Sequence, residues 1–199
     1  MLIFAVTIFF LIITPGPGVL STAGVGAAFG RQPGLRYLMG LFLGHNVVAI
    51  ATVTGIAAFV LADPRIRTVL FAASTLYLLY LALRIAMAGS KLGFIEAQRP
   101  PGLMGGLTLQ MINPKAYVVN TAIFSGFAFY PQNLSVEIGL KFLIFNIIWI
   151  PIHLLWLWAG IALRRLDLPP RSQRLINIAM SLAMLLVVAL AVFAFFGSA

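Results

Sequence analysis

No cysteine occurs among the 199 residues. That excludes disulfides, thiolate metal sites and dithiol redox relays. Charge is almost as scarce: Asp, Glu, Lys and Arg make up 9% of the chain, against about 25% in a soluble domain. Only four residues are acidic, Asp63, Glu96, Glu137 and Asp167, and the hydropathy pattern places all four in connections between apolar runs. Without a thiol, an intramembrane carboxylate or a His-Glu-x-x-His spacing, the chain has poor materials for an enzyme site, and neither cofactor nor metal is expected. What remains is apolar. Hydrophobic residues account for 62% and mean hydropathy is +1.07, so the solvent for most of the surface is a lipid bilayer.

The formal charge of +9 does not point to nucleic acid, because the basic residues fall in short connections where positive-inside topology accounts for them. The first charge is Arg31. With no cationic stretch ahead of it, the first apolar run reads as a retained span and not a cleavable leader.

A span needs about 20 apolar residues, and this divides the chain into six helices: Met1 to Phe29, Tyr37 to Leu61, Thr68 to Met87, Gly105 to Tyr130, Phe142 to Leu163 and Leu175 to Phe196. No connection is long enough for a separate domain, so residues 1–199 are expected to form a single transmembrane domain. The first, third and fifth connections, with the end of the third helix, hold Arg31, Arg36, Arg84, Lys91, Arg99, Arg164, Arg165, Arg171 and Arg174. The second and fourth hold Arg65, Arg67 and Lys141. Nine against three puts the odd connections in the cytoplasm and both termini outside. Each half then has an odd number of helices, which predicts two inverted three-helix repeats, about 1–88 and 105–199.

Two of these helices are interrupted. Thr14-Pro15-Gly16-Pro17-Gly18 stands in the middle of the first and Asn113-Pro114-Lys115 in the fourth. Lipid offers no hydrogen-bond partner, so carbonyls freed by proline are costly there unless they line a cavity and meet a ligand. Glycine alternating with two prolines is more than a packing kink requires. Lys115 lies ten residues after Gly105, about 15 Å along a helix and near the middle of a ~30 Å hydrocarbon core. A lysine at that depth needs a wet cavity or a partner.

These motifs carry a family resemblance. Thr14-Pro15-Gly16-Pro17, Gly34-Leu35-Arg36, Gly40 with Gly44, Tyr77-Leu78-Leu79-Tyr80-Leu81 and Asn113-Pro114-Lys115-Ala116 resemble the LysE/RhtB family of amino-acid exporters in order and spacing across nearly the whole chain. The pairing of Thr-Pro-Gly-Pro with Asn-Pro-Lys is the specific part. The resemblance implies a proton-driven secondary transporter of the bacterial cytoplasmic membrane, with an amino acid or related small molecule as substrate and a homodimer as its candidate assembly. The missing cysteine separates the chain from thiol-dependent relatives.

The expected substrate site lies between the two breaks, formed by Thr14, Pro15, Gly16, Pro17, Asn113, Pro114, Lys115 and Asn46. Lys115 and half-helix N-termini would face a carboxylate, and unwound carbonyls near Pro15 and Pro17 an amine. His45 and His153 fall near mid-depth of equivalent helices, and imidazole titrates near neutral pH, which suits a proton-coupled step; neutral packing roles are the alternative. Asn120 and Asn146 read equally as interhelical glue or as ligands. With no acidic residue inside a span, a neutral substrate is favoured over a cationic one. A channel would instead need polar groups along the full depth of a pore.

Overall fold

The computed structural model describes residues 1–14, 16–55, 63–87, 99–165, 169, 171–172, 174–175, 178–179, 181–182, 185–186 and 189. Among them there is no strand. The helices are α1 (Leu2–Ile13), α2 (Pro17–Phe29), α3 (Arg31–Val53), α4 (Pro64–Ala86), α5 (Gly102–Ile112), α6 (Pro114–Gly126) and α7 (Leu134–Arg165). The described residues between 171 and 189 are also helical.

Among the described residues, Arg31–Val53 and Leu134–Leu163 are each long and apolar enough to cross a bilayer alone, and Leu2–Ile13 with Pro17–Phe29 are apolar enough as a pair, bent by 51°, to form either a broken span or a re-entrant loop.

Several helices begin earlier than the hydropathy pattern suggests. The segment 30–36 was expected to be a connection, yet one residue, Gly30, separates α2 from α3. Its φ of 81° is a left-handed conformation that glycine adopts without strain. Pro33 then falls in the first turn of α3, where its missing N–H costs nothing. α4 starts at Pro64, and Asp63 Oδ1 accepts the Arg65 N–H at 2.7 Å. α7 starts eight residues before the expected Phe142. There Asn133 Oδ1 accepts the Val136 N–H at 3.1 Å, and Glu137 pairs with Lys141 one turn on at 2.9 Å. Sequence reasoning treats charge as a boundary signal; here the charges lie inside helical turns. The remainder of the sixth expected helix, and residues 88–98 of the expected 88–104 connection, lie outside the described residues.

The closest-packed pairs are α3 with α5 and α2 with α7. Glycine makes both approaches possible. A Cβ on Gly40 would sit 1.9 Å from the Leu103 carbonyl oxygen, one on Gly106 2.1 Å from Tyr37 O, and one on Gly160 2.1 Å from Ala23 O. Close backbone approach at small residues is how helices associate in lipid, where no hydrophobic effect drives them together. The Gly40/Gly44 face is therefore occupied within the chain by α5. α4 is tied in by Tyr77, whose hydroxyl donates to Gly105 O at 2.8 Å, and by Ser181, which donates to Ala82 O.

All of these glycine contacts lie toward the end that carries Arg31, Arg36, Arg99 and Arg165. The other end closes with side chains. Phe4 packs against Phe127 and Phe129 at 5.6 and 5.1 Å between ring centroids. Glu137 accepts the N–H groups of Phe129 and Tyr130 at 3.1 and 2.6 Å, and Lys141 Nζ donates to Phe124 O at 3.1 Å. The expectation that Glu137 lies in a connection is corrected here: it stands in the first turn of α7, covered, with a cation beside it.

Candidate functional site

Between these two ends, α1, α2, α3, α5, α6 and α7 line a small, partly open cavity of about 50 Å³. Its polar lining is Thr14, His45, Gln110, Asn113, Lys115, Asn120 and His153, and its apolar lining includes Leu11, Val19, Val119 and Phe145.

Each break has a local chemical cause. Gly16 is extended (φ −161°, ψ 178°) and Pro17 opens α2 at its first position, where proline's fixed φ favours helix entry. Asn113 plays the matching role for α6: its backbone is extended and its Oδ1 accepts the Lys115 N–H at 3.1 Å. Asparagine followed by proline is thus an N-cap plus a first helical residue. Two half-helix N-termini, each carrying a partial positive charge, border the same space.

Lys115 joins the breaks. Its Nζ donates 2.9 Å to the carbonyl oxygen of Thr14, 101 residues away, and its stem lies against Gly16, where an added Cβ would meet Lys115 Cδ and Nζ at 3.0 Å. Any side chain at position 16 would displace the lysine. Lys115 is half-buried and lines the cavity.

The two histidines flank one indole. His153 stacks on Trp149 at 3.6 Å and 15°, and His45 stacks at 5.3 Å and 9°. His153 Nδ1 is 3.0 Å from Trp149 O. A carbonyl oxygen only accepts, so Nδ1 carries the proton and Nε2 is left as an acceptor in the neutral ring. That Nε2 lies beside Gly18, 3.4 Å from where a Cβ would stand. His45 Nε2 is buried without a hydrogen-bond partner.

The expected site residues distribute as follows. Thr14, Gly16, Asn113 and Lys115 line the cavity with both histidines. Pro17 and Pro114 set the helix starts; Pro15 lies outside the described residues. Asn46 goes elsewhere: its amide and that of Asn146 bond reciprocally at 3.3 and 3.1 Å, which makes them interhelical glue. Sequence reasoning passed over Gln110, whose Oε1 accepts from Asn113 Nδ2 at 3.5 Å, and it left Asn120 undecided. A polar side chain three residues before Asn113, on the same face of an apolar helix, was the available signal for Gln110. Among the described residues no group of three or more His, Asp or Glu is placed to hold a metal ion.

The LysE type translocator family model matches residues 9–197. Among curated proteins, a leucine efflux protein of Klebsiella pneumoniae subsp. pneumoniae is 27% identical over 144 residues, covering 65% of this chain and 68% of that one. A leucine efflux protein of an Enterobacter species is 26% identical over 135 residues, covering 62% and 61%. No solved structure matches the chain.

Proposed function

Because the chain belongs to the LysE type translocator family, and so is a membrane transporter and not an enzyme, we propose that it exports neutral amino acids of the leucine kind through the cavity between its two helix breaks. The observation that carries this reading is the position of Lys115, a cation at the meeting point of two half-helix N-termini whose one hydrogen bond from Nζ among the described residues goes to a carbonyl that a ligand can replace. A carboxylate makes a charge-assisted bond to an ammonium, roughly twice as strong as a neutral one, so a substrate carboxylate would take Lys115 from Thr14. Leu11, Val19, Val119 and Phe145 offer an apolar wall to an aliphatic side chain. Among the described residues no carboxylate lines the cavity, which favours a neutral substrate over a cationic one.

The architecture that accompanies this reading is a single domain of six spans in two inverted repeats, with α1–α2 and α5–α6 as equivalent broken spans and both termini outside the bacterial cytoplasmic membrane. Assembly as a homodimer belongs to the same reading. The glycine-packed end, bearing Arg31, Arg36, Arg99 and Arg165, is then cytoplasmic. Export is coupled to proton entry, with His45 and His153 as the groups that take up the proton.

The test is export of labelled leucine from preloaded cells. Lys115→Met keeps the apolar stem and removes the charge, so it should abolish export while the protein still accumulates in the membrane. Lys115→Arg should restore only part, since a guanidinium presents different donor geometry. Native export by the methionine variant would refute the assignment.

A further inference from the structure

Resting on the reading above, the geometry points to a second half of the substrate site: an acceptor subsite made by Asn120 and His45, with His153 beside them, that holds the ammonium group of the transported amino acid. Asn120 Nδ2 donates to Ala116 O at 2.7 Å, and this fixes which way the amide faces. Its Oδ1 is buried with no partner. An amide oxygen can only accept, so whatever completes it must be a donor. His45 Nε2 is the second unpartnered buried atom of a residue that lines the cavity, and His153 Nε2 is a third acceptor, its other nitrogen committed to Trp149 O.

Leaving a buried acceptor unsatisfied is costly, and in native structures such atoms are few. Here two unpartnered polar atoms belong to residues that line one cavity. A carboxylate or any other anion cannot satisfy the Asn120 oxygen; an ammonium, with three N–H donors, can, and can also serve the unprotonated nitrogens of the two histidines while both rings are neutral.

Lys115 and Asn120 both belong to α6 and both line the cavity. A donor at the helix break and an acceptor further along the same helix thus meet the two charged groups of a zwitterion.

The experiment measures equilibrium binding of two labelled ligands to the purified full chain: leucine, and 4-methylpentanoate, which has the same skeleton without the amine. The native protein should bind leucine saturably and 4-methylpentanoate at least 100-fold more weakly, because a site built to receive a donor rejects the analogue that lacks it. Asn120→Leu, close in shape, should weaken leucine at least tenfold and leave 4-methylpentanoate unchanged or tighter, so that the preference collapses. Asn120→Asp retains an acceptor and should retain the preference. If both ligands weaken in parallel in Asn120→Leu, or leucine binding is unaffected, the subsite is overturned while the exporter reading stands. If the native protein binds neither ligand, the leucine reading falls and takes the subsite with it.

Discussion

Replacing Gly106 by alanine should separate α5 from α3. The new Cβ would lie 2.1 Å from Tyr37 O and 2.8 Å from Leu41 N, against ordinary contact at 3.4 Å or more. Both obstacles are helix backbone, which cannot swing aside as a side chain can, so the helices must part by about 1.3 Å, the difference between the ordinary 3.4 Å and 2.1 Å. Overpacking costs about 1–3 kcal/mol, and a backbone obstacle puts this site at about 3. Alanine's better helix propensity returns about 1 kcal/mol, leaving a net loss of about 2 kcal/mol. For a chain of this size that corresponds to a fall in Tm of about 4–8 °C. Gly139→Ala is the control, since nothing lies within 4 Å of its Cβ position, and it should match or slightly exceed the native Tm. Thermal unfolding of the detergent-solubilised protein reads both. Equal Tm values for Gly106→Ala and Gly139→Ala would refute the claim that this end is sealed by backbone contact.

Other expectations follow from single contacts. Lys141→Met should lower Tm because it leaves Glu137 covered without its cation, and adding Glu137→Gln should recover part of the loss; a double variant no better than the single one would show that the pair contributes nothing. His45→Gln and His153→Gln keep hydrogen bonding but cannot titrate, so the double variant should flatten the pH dependence of export; an unchanged profile would return both rings to packing roles. Single cysteines beside Arg65 should react with an impermeant thiol reagent from outside and those beside Arg31, Arg99 or Arg171 only from the cytoplasm, on a chain with no background cysteine. The opposite pattern would invert the orientation.

Much of this arrangement is legible in sequence because lipid restricts what a chain can do. An interruption by proline and glycine in an apolar run is rare enough to locate α1–α2 and α5–α6, and a lysine at that depth must find a cavity or a partner. The meeting of Thr14 with Lys115 follows from two interruptions at similar depth. What sequence conceals depends on tertiary packing. Arg31 and Glu137 look like loop residues because charge usually ends a span, whereas Arg31 sits with its guanidinium 5.5 Å from the Trp158 ring and Glu137 is held by a lysine and two backbone N–H groups. Asn46 reads from sequence as a substrate residue and Asn120 as undecided; Asn46 is satisfied by Asn146, and the Asn120 oxygen is buried without a partner. Which asparagine is spent and which is free is decided by the neighbouring helix, a contact no local pattern encodes.

A structure of the chain with leucine bound tests whether the substrate carboxylate takes Lys115 from Thr14. A carboxylate oxygen should stand about 2.7–2.9 Å from Lys115 Nζ, with the 2.9 Å contact from Nζ to Thr14 O lengthened or lost. Leucine bound with its carboxylate away from the helix breaks, while Lys115 still rests on Thr14, would contradict it.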